Sequence, residues 1–318
     1  MRARLIIAVL LVSCQLVAQA APFAYITNQG AHTVSVVDLG EGRVSAAITV
    51  GKAQVGVAVD GLQNRVYVSN VEGRSVSVID MLSNQVEAEI PMEIAPVGLA
   101  LSKSGGQLFV ADWFHDRILV FATDSLAKSG EIAMGKAPAG MVVSREGASL
   151  YVANRDSNDV GVVDLRSLQV VNHIPVGKHP FGMALGGEGR FLYVVNVESD
   201  SVSVIDTRRD VVTATIKVGD HPYCATSNAD GSRIYVTNTG EDSISVIDTK
   251  AGKVVTTLPV GGFPEGISYD IRRNRVVVAS WMDNAVNLID AKTNTLVQTI
   301  PTGSQSRAFG QFIGSPVQ

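Results

Sequence analysis

The chain has 318 residues, of which 46% are hydrophobic, and it carries 30 acidic residues against 26 basic ones. A hydrophobic fraction of this size supports a folded core and excludes wholesale disorder. The small acidic excess argues against a protein whose whole surface binds polyanions, although it leaves room for a local basic patch.

The first twenty residues predict a signal for export. Arg2 and Arg4 precede an apolar run over 5–12, and the small residues Ala18 and Ala20 match the pattern that signal peptidase cleaves. We therefore expect cleavage after Ala20 and a periplasmic or secreted mature chain. A lipobox at 11–14 is the alternative and would anchor the chain through a lipid on Cys14. The short distance from there to the first predicted strand favours simple export.

The remainder of the chain, 21–318, has no further stretch with the length of a membrane-spanning helix, so we expect no membrane insertion of the mature protein. Loss of Arg2 and Arg4 would leave 24 basic residues against 30 acidic ones, a formal charge of −6. Cys224 would then be the only cysteine, which excludes an intramolecular disulfide.

A repeat of 42 residues organises the whole mature chain. One register holds an aromatic or apolar residue at Tyr25, Tyr67, Phe109, Tyr151, Tyr193, Tyr235 and Val277. A second register holds aspartates at Asp38, Asp80, Asp164, Asp206, Asp248 and Asp290. A third holds prolines at Pro96, Pro138, Pro180, Pro222 and Pro264. Seven copies of this length indicate a propeller or solenoid rather than independent domains.

Each repeat contains four short strands, as the fifth one illustrates. Alternating apolar residues and turn signals predict strands at Phe191–Asn196, Val202–Asp206, Val211–Val218 and Tyr223–Ser227. Four strands per repeat of about this length are typical of propeller blades. The sequence therefore predicts an all-β fold, a seven-bladed β-propeller with four antiparallel strands per blade, over 21–318.

The segment Tyr-Val-Thr-Asn at 235–238 resembles the signature of the YVTN-repeat (YncE-like) β-propellers, a family of exported bacterial proteins. This resemblance implies that the strand after the proline is innermost and the Tyr-Val strand second. The chain begins with a second strand, so 307–313 should supply the missing inner strand and close the ring. The third repeat departs from the pattern, with Asp112 in place of asparagine, and Ser306 replaces the last proline.

Residues that recur in most blades are interpreted as structural, and residues that break the repeat as candidates for function. The repeated asparagines and aspartates are expected to cap the turns that follow them. The loops between second and third strands should share one face with the loops before the prolines. On that face the candidate ligand-binding residues are Trp113, Arg155, His179, His221, Tyr223, Trp281 and Arg307.

Metal binding and catalysis receive weaker support. His179 and His221 share a register, and acids at 198, 200, 241 and 242 lie on adjacent loops, so a divalent metal is conceivable. No closely spaced ligand motif accompanies them, and we predict no metal site and no cofactor. The linear motifs of serine hydrolases, phosphate-binding loops and zinc proteases are absent, and we assign no catalytic residue.

The favoured hypothesis is a monomeric, non-catalytic binding or scaffold module for a protein partner or small ligand. The resemblance implies single-stranded nucleic acid as a further possible ligand, for which Trp113, Arg155 and Trp281 could stack. The alternative is an enzyme, a lyase or lactone hydrolase, or a redox-cofactor accessory with its site at the axial mouth. That alternative requires His179, His221, Glu265 and Arg307 to converge on one point.

Overall fold

The computed structural model describes residues 22–317, so the predicted signal peptide at 1–20 and its alternative at Cys14 lie outside the described residues. Within 22–317 the chain forms thirty strands and two single-turn 3-10 helices, at Gly187–Gly189 and Val197–Ser199. None of the helices in this range is long and apolar enough to cross a membrane. The strands are arranged in seven sheets, which are the blades of the propeller.

The first three blades are built as follows. Blade 1 contains β1 (Phe23–Asn28), β2 (Thr33–Asp38) and β3 (Arg43–Thr49). Blade 2 contains β4 (Gln54–Asp60), β5 (Arg65–Asn70), β6 (Ser75–Asp80) and β7 (Gln85–Pro91). Blade 3 contains β8 (Pro96–Leu101), β9 (Gln107–Asp112), β10 (Arg117–Ala122) and β11 (Lys128–Ala133).

The remaining blades repeat this order. Blade 4 contains β12 (Pro138–Val143), β13 (Ser149–Asn154), β14 (Asp159–Asp164) and β15 (Gln169–Pro175). Blade 5 contains β16 (Pro180–Gly186), β17 (Phe191–Asn196), β18 (Ser201–Asp206) and β19 (Val211–Lys217). Blade 6 contains β20 (Pro222–Ser227), β21 (Arg233–Asn238), β22 (Ser243–Asp248) and β23 (Lys253–Pro259). Blade 7 contains β24 (Pro264–Asp270), β25 (Arg275–Ser280), β26 (Ala285–Asp290) and β27 (Thr295–Pro301). Three short C-terminal strands follow, β28 (Ser306–Arg307), β29 (Phe309–Gln311) and β30 (Ile313–Gly314).

The fold prediction is confirmed, including the radial order of the strands. In each of blades 2 to 7 the strand after the proline position pairs antiparallel with the Tyr-Val strand, and in blades 3 to 7 it lies at one end of the sheet. The second and third strands are almost wholly buried, whereas most residues of the fourth strand are exposed. The fourth strand is therefore outermost, and the cores lie between neighbouring blades.

A glycine register allows the inner strands to approach one another. A Cβ atom on Gly98 would overlap the carbonyl oxygen of Ala139 in the next blade, and one on Gly140 would overlap that of Phe181. Cys224 occupies this register in blade 6 and is a free, buried cysteine, as the sequence predicted. The glycines thus set the small radius of the ring at this level.

The repeated polar residues have structural roles. The Asp38 carboxylate accepts hydrogen bonds from the backbone N–H groups of Gly40 and Glu41, at 2.7 and 2.9 Å, so the prediction of turn capping holds for the aspartates. The asparagines act differently, because the Asn196 amide donates to the Ser201 and Ser203 hydroxyls on the adjacent strand. In blade 3 the corresponding position is Asp112.

Asp112 is a fully buried carboxylate with two charged or polar partners. Its Oδ2 lies 2.9 Å from Arg117 Nε, and its Oδ1 lies 2.9 Å from His115 Nδ1. The departure of the third repeat from asparagine is therefore compensated within the same hairpin by the arginine that begins β10. This substitution is accommodated locally and does not create an open site.

The C-terminal segment closes the ring, with one difference from the expected inner strand. β28 and β30 pair antiparallel with β1, but β29 leaves blade 1 and pairs in parallel with β4 of blade 2. Gly310 permits this excursion, because its φ of 117° favours glycine and a Cβ there would overlap the Val57 carbonyl oxygen. Phe312 is fully buried in the core formed by blades 1 and 2. The clasp therefore joins three segments of chain rather than two.

Candidate functional site

The loops between second and third strands lie beside the loops that precede the prolines, as the sequence predicted; we call this side the proline face. The Arg155 N–H donates to the Ala137 carbonyl at 3.1 Å, and the Val197 N–H donates to the His179 carbonyl at 3.0 Å. The turns between first and second strands lie at the other ends of the inner strands, and we call that side the turn face.

The two histidines of the proline face occupy a position where the backbone conformation and its hydrogen bonds repeat from blade to blade. His179 and His221 have positive φ values of 52° and 47°. The His179 N–H donates to the Asn158 side chain at 2.9 Å, and the His221 N–H donates to that of Asp200 at 3.1 Å. Both acceptors belong to the preceding blade, so these bonds tie adjacent blades together.

The contacts of the imidazole ring differ between the two histidines. His179 Nδ1 lies 2.7 Å from the Glu198 carboxylate, whereas His221 Nδ1 lies 2.7 Å from the Asp220 carboxylate. The hydrogen bond to Asp220, and then the charge of that carboxylate, raise the pKa of His221. Within 22–317, Asp200, Asp220 and His221 form the one group of three such side chains with donor atoms within 4.8 Å of one another. Because Asp200 already accepts the blade-linking hydrogen bond, that group has a structural explanation.

Seven equivalent side chains, each one residue after the proline position, meet around the axis. They are Val55, Val97, Ala139, Phe181, Tyr223, Glu265 and Arg307. We call them the axial ring. Blades 2 to 4 supply small aliphatic residues, blades 5 and 6 supply aromatic residues, and blades 7 and 1 supply opposite charges. The axial ring therefore contains two of the predicted residues, Tyr223 and Arg307, together with Phe181 and Glu265.

Aromatic side chains fill the axis at the level of the axial ring. The Phe181 ring centroid lies 4.3 Å from that of Tyr223 and 4.6 Å from that of Phe309. Trp113 packs on the outer side of this stack, with its centroid 6.0 Å from Phe181. The Arg155 guanidinium lies 4.8 Å from the Trp113 ring centroid, which is cation–π geometry. These rings obstruct the axis toward the proline face.

A buried ion pair completes the axial ring. Arg307 Nε lies 2.7 Å from Glu265 Oε2, with side-chain exposures of 13% and 9%. Arg307 also donates to the Tyr223 hydroxyl at 3.2 Å and to the Gln29 side chain at 3.4 Å. Burial raises the pKa of Glu265 although the arginine charge opposes it. Burial, and then the Glu265 charge, also raise the pKa values of Tyr223 and Cys224.

The predicted residues therefore divide into two groups. Trp113, Arg155, Tyr223 and Arg307 are connected through Phe181 across the axis. Trp281 instead packs on Phe263, with centroids 5.9 Å apart; His179 binds a carboxylate of the adjacent loop and His221 one of its own loop. The convergence that the enzyme hypothesis requires is thus limited to Glu265 and Arg307.

The large cavity of the molecule lies on the other side of this obstruction. It has a volume of about 790 Å³ and is lined by the C-terminal halves of the inner strands and by the turns that follow them. Phe309 and Cys224 line it near the axial ring, and the exposed side chains of Leu62 and Ile271 line it at the turn face. The cavity therefore opens on the face opposite to the one that the sequence analysis selected.

The cavity wall is chemically divided. At one equivalent position blades 2 to 5 carry Val59, Leu101, Val143 and Leu185, whereas blades 6, 7 and 1 carry Ser227, Tyr269 and Gln311. At the position before it, blades 2 to 5 again carry alanine or valine, and blade 6 carries Thr226. One side of the wall is thus aliphatic and the other carries neutral polar groups.

Charged groups at the turn-face opening have both signs. Lys103 has no carboxylate within ion-pair distance in the described part of the chain, whereas Arg145 Nη1 lies 3.9 Å from Glu188 Oε1. The buried Asp60 carboxylate accepts the backbone N–H groups of Leu62 and Gln63 and so caps its own turn. The opening therefore has no strong net charge.

The cavity residues were not among the predicted site residues, although the sequence carries a signal for them. Thr226 and Ser227 each replace an aliphatic residue that four other blades share. Departure from the repeat is the same criterion that selected Trp113 and Trp281. Thr226 and Ser227 were overlooked because hydroxyl residues at a strand end also fit an ordinary turn. Only the tertiary structure shows that this register lines a cavity.

Comparisons with known proteins agree with this architecture. The family described as lactonase, 7-bladed beta-propeller, matches residues 17–167 and 127–221. Among curated protein sequences, none matches this chain.

Solved structures resemble the fold at low sequence identity. Hydrazine synthase of Kuenenia stuttgartiensis superposes with a TM-score of 0.74 at 21% identity, covering 80% of this chain and 88% of the other. Dihydro-heme d1 dehydrogenase NirN in complex with DHE gives 0.70 at 16% identity, covering 89% and 74%. A functionally unknown protein from Desulfotomaculum acetoxidans DSM 771 gives 0.78 at 14% identity, covering 92% and 98%. At these identities the likeness concerns the fold alone. The two matched segments of the family together span more than half of the chain, which therefore belongs to the lactonase seven-bladed β-propeller family.

Proposed function

We propose that this protein is a non-catalytic binding module that takes a small organic ligand into the turn-face cavity. The observation that carries the proposal is the cavity itself, about 790 Å³ in volume and open at one end. Its size lies within the range typical of small-molecule sites, and its wall combines apolar surface with a few polar groups. The binding-module hypothesis from the sequence is thereby kept, and its site is moved to the other face.

The chemistry of the lining favours binding over catalysis. Among the described residues that line the cavity there is no histidine, and burial raises the pKa of the Cys224 thiol, which disfavours the nucleophilic thiolate. Oδ1 of the buried Asp60 carboxylate accepts two backbone N–H groups, whereas its Oδ2 has no hydrogen-bond partner in the described part of the chain. No nucleophile and base meet on this wall, as a hydrolytic site would require.

Export and the narrower family assignment belong to the same proposal. The basic start, apolar run and small residues before Ala21 support a periplasmic or secreted chain cleaved after Ala20. The Tyr-Val-Thr-Asn segment supports membership of the YVTN-repeat subgroup. Mass spectrometry of the mature N-terminus tests the export step, and an acylated Cys14 would replace secretion by lipid anchoring.

Binding in the cavity can be tested with Nile red, a neutral dye that fluoresces in apolar surroundings. Ser227→Trp should place an indole inside the cavity and obstruct the dye, because Tyr269 shows that this register accepts an aromatic ring. The matched control is Ser304→Trp, at an exposed serine of the proline face. We expect the dye to bind the wild type and the control, and Ser227→Trp to lose most of the signal. Equal binding by both variants would refute the cavity as the site.

A second candidate function, lactone hydrolysis, rests on the Glu265 and Arg307 pair. A buried carboxylate beside a guanidinium offers a base and a cationic partner near the axis. Its test is the hydrolysis of δ-valerolactone followed by pH-stat titration. Under the binding proposal the purified protein adds nothing to the spontaneous rate. Enzyme-dependent hydrolysis that Glu265→Gln abolishes would replace the proposal by the enzymatic one.

A further inference from the structure

The two sides of the turn-face cavity differ in a way that restricts its ligand. We infer that the cavity takes a facially amphipathic molecule, apolar on one side and hydroxylated on the other. This inference rests on the proposed function and specifies the ligand class for the same site. It follows from the position of one hydroxyl group, from the division of the wall and from the neutrality of the polar side.

The Thr226 hydroxyl is the first of these observations. Thr226 is only 6% exposed and lines the cavity, yet its hydroxyl has no hydrogen-bond partner in the described part of the chain. The hydroxyl oxygen is not one of the fully enclosed polar atoms that lack a partner, so it is open to the cavity space. A ligand hydroxyl or a bound water in the cavity would supply the missing partner.

The aliphatic side provides the second observation. Leu101, Val143 and Leu185 belong to three consecutive blades, are half-buried, and line the cavity together. They present a continuous apolar surface on the side of blades 3 to 5. A ligand with polar groups all around would have to desolvate those groups against this surface without compensation.

The polar side consists of neutral groups, which indicates hydroxyl rather than charged substituents on the ligand. The polar side continues with Ser227, whose hydroxyl donates to the Asn228 carbonyl at 3.0 Å, and farther round the axis with Gln311, which pairs with Ala58 of β4. The Ser227 oxygen can still accept a hydrogen bond. Gln311 is exposed and has no recorded partner in the range that the structure describes. These donors and acceptors match alcohol groups.

Two steroid acids that share one skeleton test the inference. Cholate carries hydroxyl groups on one face of its ring system, and 5β-cholanate lacks them. Both are used below the micellar concentration as competitors of bound Nile red. The variant is Thr226→Val, which removes the hydroxyl at nearly constant volume, and the matched control is Thr257→Val, at an exposed threonine of β23.

We expect Thr226→Val to weaken cholate by about 3- to 10-fold, the usual range for one hydrogen bond, and to leave cholanate unchanged. Thr257→Val should alter neither competitor. A second variant, Ser227→Ala, should weaken cholate by a smaller factor and also spare cholanate. These selective effects would not arise from general destabilisation.

Three outcomes would overturn the inference. Thr226→Val could weaken the binding of both steroids equally, or it could weaken the binding of neither. Either result would show that Thr226 does not bind the hydroxylated face. Displacement of Nile red by neither steroid would exclude the facially amphipathic class while leaving cavity binding intact. Failure of Nile red itself to bind the wild type would instead refute the proposed function.

Discussion

The two ends of the propeller axis differ although the same inner strands build both. Near the proline face the axial ring contains Phe181, Tyr223, Glu265 and Arg307, and their side chains close the axis. Near the turn face the wall positions are aliphatic in blades 2 to 5 and mostly neutral polar elsewhere, and they enclose an open cavity. Side-chain volume at two levels of one repeat therefore determines which end can admit a ligand.

The comparison of the two ends also shows that a residue that breaks the repeat need not be available to a ligand. Trp113 and Tyr223 attracted attention as aromatic residues that break the repeat, yet they pack with Phe181 in the closed end. The asymmetric filling of the axis explains why these two residues differ from the equivalent residues of the other blades. Thr226 breaks the repeat less conspicuously, but its hydroxyl lies at the open end without a partner.

The largest effect should come from a change that disturbs both ends at once. Deletion of 306–318 removes β28, β29 and β30, and with them the buried Phe309 and Phe312. Loss of one buried phenylalanine side chain alone costs about 3–5 kcal/mol. We expect the melting temperature to fall by more than about 10 °C, measured by circular dichroism.

The control for this deletion is removal of 317–318 only, which keeps all three strands and forgoes the hydrogen bonds between Val317 and Asn64. It should melt within a few degrees of the wild type. An unchanged transition after the larger deletion would show that the ring does not depend on the clasp.

A change restricted to the closed end should have the next largest effect. Arg307→Leu leaves Glu265 buried without its countercharge, which costs about 3–5 kcal/mol. The double variant Glu265→Leu with Arg307→Leu removes both charges and should recover much of that loss. Chemical denaturation of the two variants measures the difference, and an equally unstable double variant would show that packing, not charge, explains the loss.

The same variant has a defined pH dependence. Burial already raises the pKa of Glu265 above 4.5, and loss of the arginine removes the charge that opposes this shift. A carboxyl whose pKa is raised in the folded state binds protons more tightly when folded, so stability falls as the pH rises through that pKa. Relative to wild type, Arg307→Leu should therefore be less destabilised near pH 4.5 than near pH 7.

A change between the two ends should have an intermediate effect. Gly98→Ala places a Cβ against the Ala139 carbonyl oxygen, so the inner strands of blades 3 and 4 must separate. Overpacking of this kind costs about 1–3 kcal/mol. The control is Gly106→Ala, where the nearest atom to a new Cβ is the Ser104 hydroxyl oxygen at 3.6 Å. Denaturation curves that coincide for the two variants would contradict the role of the glycine register.

The smallest effect is expected at the margin of the closed end. The hydrogen bond and charge of Asp220 raise the pKa of His221 above 6.5, so the small stabilisation from this pair is complete below pH 6.5 and disappears as the pH rises through the raised pKa. Asp220→Asn should lower the pKa of His221, as measured by NMR titration. Asp283→Asn, on another loop of the same face, should leave it unchanged. Equal pKa values in wild type and Asp220→Asn would contradict the contact.

Much of the fold could be predicted because each blade uses the same local rules. In six of the seven blades an aspartate ends the third strand and caps a tight turn, and the alternation of apolar residues fixes which strands are buried. These interactions join residues a few positions apart. The excursion of β29 into blade 2 could not be predicted, because it depends on how Gly310 and Phe312 fit between two blades.

For the site, the sequence by itself determined which residues are equivalent, since a fixed repeat assigns every residue to a register. It thereby marked Trp113, Tyr223 and Arg307 as exceptions, whereas Thr226 was not among the predicted site residues. Only the tertiary structure decided which exceptions fill the axis and which line a cavity. The physical reason is that seven side chains from distant parts of the chain share one axial space, and their combined volume and charge, rather than any local pattern, determine whether that space is closed or open.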